Sequence, residues 1–327
     1  MPIRLSGRAL SVAALAAALL LVSGPRLWAQ QVPHVLVVGP LDNYGPLLAG
    51  LSEGLQSAGF TDASRIRIDH RNASSADEAK AAIGTAIDSG VDAIVTVFGP
   101  STQAASAATT KIPIVFCPVA DPVAAKFAAS SDAPGGNLTG IASADAEASR
   151  RRLAAFRQVL PKLKRLAILF DSGFPPDRVQ MTNFEQIAPS TGVVLVSRAV
   201  DDENAVVAAL QVLGHGDADA IFILKDSLLR KAGDELKRAA MDQKLPILVG
   251  DPGLVTFPGV VAAVGPNQQD MGRICGRTTA RILHGAKTAD LPIGHPNFEL
   301  LVNLKSAQRL GIVVPQRALK QAVRIVR

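Results

Sequence analysis

The sequence predicts an α/β protein of two similar lobes, each a parallel sheet flanked by helices. Short β-branched runs recur along it: HVLVV, RIRID, VDAIVTVF, IPIVF, then RLAILF, VVLVS, DAIFIL and PILV. Most of them are continuous apolar runs, the pattern of strands covered on both faces. Segments with apolar residues at helical spacing lie between them, so strand and helix alternate. One long segment is also used twice. "VDAIVTVFGPSTQAASAATTKIPIVFCPVADP" and "ADAIFILKDSLLRKAGDELKRAAMDQKLPILVGDP" both run Asp-Ala-Ile, a buried strand, a polar loop opening a helix, a lysine, x-Pro-Ile, a second strand and Asp-Pro. Asp121-Pro122 in the first matches Asp251-Pro252 in the second.

The elements follow in order. HVLVVGPLDNYG is a strand ending in a Gly/Pro-rich polar loop, and KRLAILFDSGFP repeats it in the second half. Leu47, Leu48, Leu51 and Leu55 mark the first helix; Leu153, Phe156 and Leu160, then Val206, Val207, Leu210 and Leu213, mark later ones. The glycines of PGGNLTG (residues 134–140) relieve the steric limits on backbone turning where the chain leaves the first lobe. GVVAAVGPN (residues 259–267) is the second apolar crossing, and the helix after it carries Met271, Cys275, Thr278 and Ile282 on one face. The expected division is residues 1–29 as a signal peptide, 30–141 with 262–296 as the first lobe, 142–261 as the second, and 297–327 returning near the hinge.

In open α/β sheets, ligands bind outside the carboxyl ends of the strands. That rule selects Asn43 and Tyr44, Gly99, Ser101 and Thr102, and Asp121 from the first lobe, and Asp171, Phe174, Lys225, Asp226, Ser227 and Asp251 from the second. Backbone N–H groups at the helix openings by Ser101, Thr102 and Ser227 favour an anion such as a carboxylate. Asp121, Asp226 and Asp251 can accept from an ammonium by charge-assisted hydrogen bonds. Tyr44 and Phe174 can pack on an apolar side chain. Together they suit an amino-acid-like zwitterion. Each has a plainer rival: Asp226 as a helix cap, Asp121 and Asp251 as turn formers before proline, Lys225 as a solvated surface charge, Tyr44 and Phe174 as helix-end residues.

The chain begins MPIRLSGRALSVAALAAALLLVSGPRLWAQ. Arg4 and Arg8 precede an apolar run from Val12 to Val22, which Ser23-Gly24-Pro25 breaks, and Leu27-Trp28-Ala29 offers a cleavage site. The run falls short of the ~20 residues of a membrane span, which disfavours the rival of an uncleaved anchor. The formal charge is +6, and loss of Arg4, Arg8 and Arg26 lowers it by three. So mild and scattered a charge does not suggest a nucleic-acid binder, and no nucleic-acid partner is expected. The basic C-terminal QRALKQAVRIVR reads as a solvated end. His34, His70, His215, His284 and His295 show no metal-ligand spacing, and no cofactor is expected. Cys117 and Cys275 read as small buried hydrophobes; a disulfide is the alternative that export permits. No Ser/His/Asp spacing, G-x-S-x-G elbow or phosphate loop argues for an enzyme.

The stretches IPIVF, ADPVAAKFAAS, PGGNLTG, RRLAAFRQVLPKLKRLAILFD, KLPILVG, VGPNQQDMGR, ILHGAKTADLPI and NFELLVNLKSAQRLGIVVP resemble, in order, the extracytoplasmic solute-binding proteins of ABC importers in the tryptophan/phenylalanine-binding-like group. The resemblance covers nearly the whole chain after the leader. It implies a periplasmic-binding-protein type 1 fold with three interlobe crossings. It also implies a monomer in the periplasm that binds a small solute, amino-acid-like by preference, and delivers it to an ABC permease without chemistry of its own. A ligand-binding sensor acting with a membrane receptor and an exported α/β enzyme are the alternatives. Ala124, Ala125 and Lys126 depart from the glycines common after the family's Asp-Pro-Val, and Val264 stands where an aromatic is common.

Overall fold

The structure, a computed structural model, describes residues 32–213, 216–224, 238 and 240–327. The first sheet holds β1 (His34–Gly39), β2 (Arg67–Asn72), β3 (Ala93–Thr96), β4 (Ile114–Val119) and β5 (Leu138–Ala142). All its strands are parallel, in the order β2-β1-β3-β4-β5. The second holds β6 (Arg165–Phe170), β7 (Val194–Ala199), β8 (Ala220–Ile223), β9 (Ile247–Val249), β10 (Val260–Pro266), β11 (Phe298–Asn303) and β12 (Arg324–Val326). Its order is β12-β11-β10-β9-β8-β6-β7, and β10 with β11 is its antiparallel pair. Strands β7-β6-β8-β9-β10 therefore repeat the topology of β2-β1-β3-β4-β5. The sequence repeat is a repeat of fold.

Among the described residues the helices are α1 (Gly45–Gln56), α2 (Ala76–Asp88), α3 (Gly99–Ala108), α4 (Ala146–Val159), α5 (Pro175–Thr191), α6 (Glu203–Val212), α7 (Gln268–Leu283), α8 (Leu304–Arg309) and α9 (Gln316–Gln321). They cover both faces of each sheet, which is why strands such as β1, β4 and β8 are buried at every position. Leu47, Leu51 and Leu55 of α1 join Val35, Val37, Met271 and Cys275 in one core cluster. Leu153 and Phe156 of α4 pack with Phe184, Phe222 and Leu248 in another.

Three connections run between the sheets: β5 into α4, β10 into α7, and the segment entering β11. Side chains tie them to one another. His295 Nε2 and Asp145 Oδ2 are 2.7 Å apart, joining the third to the first. Asn267 donates from its backbone N–H to Asn297 O at 2.9 Å, and Asn297 N–H donates to Asp270 Oδ2 at 2.8 Å, joining the third to the second.

The structure differs from the expected division at two places. Residues 262–266, expected in the first lobe, belong to β10, which pairs with β9 and β11 in the second sheet. Val260 to Val264 are all buried, so the strand completes the repeat before the chain crosses at Asn267. Residues 297–327 do more than approach the hinge. β11 and β12 extend the second sheet, and Ala307, Leu310, Val314 and Ala318 enter its core because these apolar residues cover the face beside α4. Gly135 and Gly136 are both left-handed, with φ of 72° and 65°. They turn the chain into β5, and the departure follows at Ala142.

Helix α7 leaves the second sheet and docks on the first lobe against α1. The contact is backbone to backbone. A Cβ on Gly272 would lie 2.0 Å from Leu47 O, and one on Gly50 would lie 2.0 Å from Gln269 O. Gly54 and Gly276 are nearly as tight, at 2.4 Å from Arg273 O and 2.3 Å from Leu51 O. At the rim Arg273 Nε donates to Glu53 Oε2 at 2.6 Å. The same docking sets α7 beside β4, where Cys117 and Cys275 form a disulfide across a Cα separation of 6.2 Å. The two thiols read as separate buried groups are thus one bond, brought together by a contact that sequence spacing does not encode.

Candidate functional site

The loops at the carboxyl ends of both sheets face one another across a cleft of about 280 Å³. Tyr44 follows β1, Phe98 follows β3, Pro118 lies on β4 and Met271 is on α7; these supply the first lobe's wall. Arg152 of α4, Phe222 and Leu224 at the end of β8, Gly250 and Asp251 after β9, and Pro266 of β10 supply the second wall. Ser143 and Ala144 of the first crossing and Gln268 of the second close the hinge side. A larger hollow, about 500 Å³, lies among Leu163, Pro246, Leu310 and Ile312. It sits at the amino ends of the second sheet's strands. The cleft is the stronger site because it collects the carboxyl ends of both sheets.

The first wall is apolar. Tyr44 and Phe98 meet edge to face with ring centroids 4.8 Å apart. Phe98 holds φ 68° and ψ 164°, a region nearly reserved for glycine that costs about 1–3 kcal/mol. That unusual backbone places its ring beside Tyr44 at the cleft. The Tyr44 hydroxyl titrates above its ordinary range, first because it is buried and second because Asp251 stands nearby.

The second wall carries the charges, beside the apolar Phe222, Leu224 and Pro266. Arg152 is only 6% exposed. Its Nε donates to Val264 O at 3.2 Å, and its Cζ lies 5.1 Å from the ring centroid of Phe298, within cation–π range. Asp251 opens a short 3-10 turn and accepts from Gly253 N–H at 2.8 Å. Gly250 lies between them, and a Cβ there would be 3.8 Å from Arg152 Nη2.

The structure brings Tyr44 and Asp251 together at the cleft. Asn43 belongs to the 3-10 turn Leu41–Asn43 just before Tyr44. Other expected residues have different positions. Ser101 and Thr102 are buried in α3. Thr102 Oγ1 donates to Phe98 O at 3.0 Å and pairs with Thr96 Oγ1 at 2.8 Å, so that hydroxyl folds back into the lobe. Gly99 begins α3 behind Phe98. Asp121 Oδ1 accepts from the N–H groups of Val123 and Ala124 at 3.1 and 2.9 Å, and Oδ2 accepts from Asn183 Nδ2 of the other lobe at 3.1 Å. The turn-forming alternative describes Asp121, with an interlobe hydrogen bond added. Asp171 is buried in its own loop, accepting from Gly173 N–H at 2.8 Å. Phe174 precedes α5 and is 41% exposed. Lys225, Asp226 and Ser227 lie outside the described residues.

Phe98, Pro118, Met271 and Arg152 were missed. Arg152 left a signal: it lies four residues before Phe156 and three after Ser149, on the buried stripe of α4. A cation on the apolar face of an amphipathic helix points inward.

Comparison with known proteins agrees with this architecture. Similar folds include the ABC domain from Streptococcus pneumonia in complex with L-Trp, at 24% identity, covering 90% of this chain and 99% of that one with a TM-score of 0.72. They also include the ligand-free, open form of a substrate-binding protein with adhesive properties from Clostridium difficile, at 24% identity, 90% and 99% coverage and a TM-score of 0.77. Among curated relatives, the tyrosine-binding protein of Clostridioides difficile (strain R20291) is 26% identical over 265 residues, 80% of this chain and 76% of that protein. The profile of the family described as ABC transporter substrate binding protein matches residues 41–326. A profile match across both lobes, on a two-sheet fold with its cleft at the strands' carboxyl ends, means that the chain belongs to the ABC transporter substrate-binding protein family.

Proposed function

We propose that this substrate-binding protein takes up an α-amino acid with an apolar or aromatic side chain and presents it, in the closed form, to a membrane permease. The observation that carries this reading is the asymmetry of the cleft. One wall is aromatic and apolar at Tyr44, Phe98, Pro118 and Met271, and the other sets a buried cation beside a carboxylate at Arg152 and Asp251. Such a pair of walls complements a zwitterion carrying an apolar body. Two relatives, the tyrosine-binding protein and the domain in complex with L-Trp, support the same class. The lobes close over the ligand by rotation at the three crossings. The protein works as a monomer in the periplasm after cleavage near Ala29; residues 1–29 lie outside the described residues.

Titration calorimetry against a panel of L-amino acids tests the reading. Saturable binding of an aromatic or large apolar member, with a decrease in radius of gyration by small-angle scattering, is the expected result. A panel in which none binds would overturn it. Native mass spectrometry of protein purified from its own host would then identify the retained solute.

A further inference from the structure

We infer that Arg152 holds the carboxylate of the bound amino acid, so that the ligand lies with its head group on the second lobe and its side chain on the first. The inference rests on the reading of the cleft as an amino-acid site and adds the orientation to it.

Arg152 sits on α4, in the turn after the first crossing, and lines the cleft while being 6% exposed. Burying a guanidinium costs free energy that hydrogen bonds and opposite charge must offset. Two of its contacts help to fix its posture. Nε donates to Val264 O at 3.2 Å, and the Phe298 ring lies beneath it with 5.1 Å between Cζ and the centroid. With Nε committed to the β10 backbone, the planar fork is oriented by its inner edge. Nη2 is the atom that approaches Gly250, the residue of the cleft wall next to Asp251. Nη1 is buried, so a ligand carboxylate meets the guanidinium at Nη2, whose direction the anchored plane fixes; a lysine's freely rotating ammonium lacks that fixed direction.

The neighbouring Asp251 completes the head-group site. It is the carboxylate next to Gly250 in the chain and lines the same wall. Cation and anion thus stand side by side, as the carboxylate and ammonium do on an α-carbon. A simple carboxylic acid or amine would satisfy only one of them. The opposite wall has no charged residue among its described members: Tyr44, Phe98, Pro118 and Met271 offer rings, a pyrrolidine and a thioether. The side chain of the ligand therefore faces the first lobe, and specificity among amino acids is set there.

The test compares acids with their amides at about pH 6, where the α-amino group keeps its charge. L-tyrosine and L-tryptophan are titrated into the full mature protein, each beside its carboxamide. The expected result is at least tenfold weaker binding of the amide to the wild-type protein, since a charge-assisted pair is lost. Arg152→Gln should weaken the amino acid by about ten- to a hundredfold and leave the amide within about threefold. Arg152→Lys, which keeps the charge without the fork, should fall between. Equal binding of acid and amide by the wild-type protein overturns the inference while leaving the amino-acid reading intact, and needs no folded variant. Equal losses for acid and amide in Arg152→Gln, with its melting temperature preserved, overturn it as well. Binding of neither acid nor amide overturns the amino-acid reading and this inference with it.

Discussion

Replacing Gly272 by alanine sets two known effects against each other. In a helix interior, alanine is favoured over glycine by about 0.8–1.0 kcal/mol. At Gly272, however, the new Cβ would stand 2.0 Å from Leu47 O, 2.6 Å from Leu51 N and 2.9 Å from Gly50 C, all backbone atoms of α1. Ordinary contact begins at 3.4 Å, so α1 and α7 must part by roughly 1.4 Å along that line, a strain of the overpacking kind. Neither helix has a flexible side-chain end there that could yield. Overpacking of a close-packed core costs about 1–3 kcal/mol, occasionally more, and separating the helices also loosens Leu47, Leu51 and Met271 in the core behind them. With three backbone atoms overlapped the upper end of that range applies, the clash wins, and Gly272→Ala should lose about 2 kcal/mol net. Gly84 in α2 is the control: it is exposed, and a Cβ there meets nothing within 4 Å. Gly84→Ala should gain up to about 1 kcal/mol from the same propensity. Scanning calorimetry of both variants should show melting temperatures moving in opposite directions. An unchanged or raised melting temperature for Gly272→Ala would refute the claim that backbone contact between α1 and α7 sets the tolerance of this site.

Three other outcomes are expected. Asp121→Asn keeps an oxygen for the turn but turns an amide N–H₂ toward Asn183 Nδ2, so thermal stability should fall by the equivalent of about 1 kcal/mol while ligand affinity stays within about threefold; a tenfold loss of affinity would place Asp121 on the ligand. Lys126 holds a left-handed φ of 61°, and Lys126→Gly should stabilise the protein by up to about 1 kcal/mol in urea titration; a lowered midpoint would refute it. The hinge pair should make stability depend on pH. The hydrogen bond to Asp145 raises the His295 pKa against the opposing pull of burial. Burial pushes the Asp145 carboxyl up, but hydrogen bonds from His295 and the Ala148 N–H outweigh it and hold the carboxyl below its usual range. A raised histidine pKa contributes stability that is complete below the unfolded value of about 6.5 and is lost as pH rises through the folded value. Melting temperatures should therefore fall from about pH 6 toward pH 8 in the wild-type protein, and that slope should flatten in His295→Gln; equal slopes would show that the pair does not carry it.

Much of the fold was legible because its determinants are local. Runs such as VLVV and LAILF are apolar at every position, and only a strand covered on both faces tolerates that in a small α/β lobe. The internal repeat then carried the topology. The end of the repeat was harder to place. VVAAVGP is as apolar as a crossing segment and as a strand, and pairing with β9 decides between them. The site was less legible for the same kind of reason. Helix-opening hydroxyls at Ser101 and Thr102 suggest an anion site, but Thr102 Oγ1 finds its partners in Phe98 O and Thr96 Oγ1. Arg152 is the last of three consecutive arginines; helix rotation alone buries it and leaves Arg150 exposed. Phe98 lines the cleft through a backbone conformation that no propensity favours.

The docking of α7 on α1 also bears on the order in which the molecule assembles. The strands of the first sheet are all made by Ala142, yet the face of α1 carrying Leu47, Leu51 and Leu55 stays open to water until residues 268–283 arrive. The chain before them builds β6 to β10, which are contiguous and can gather a nucleus from their own sequence. Synthesis and maturation therefore run in opposite directions: the half that emerges first is sealed last. Cys117 and Cys275, 158 positions apart, work as a clasp that fastens only when both ends of the divided lobe have met. Pulse alkylation during oxidative refolding should find both thiols still reactive after the amides of β6 and β8 have become protected; early loss of thiol reactivity would reverse that order. Once fastened, the clasp makes β6 to β10 part of a covalent ring, so a single proteolytic cut between β6 and β10 leaves the two chain pieces joined.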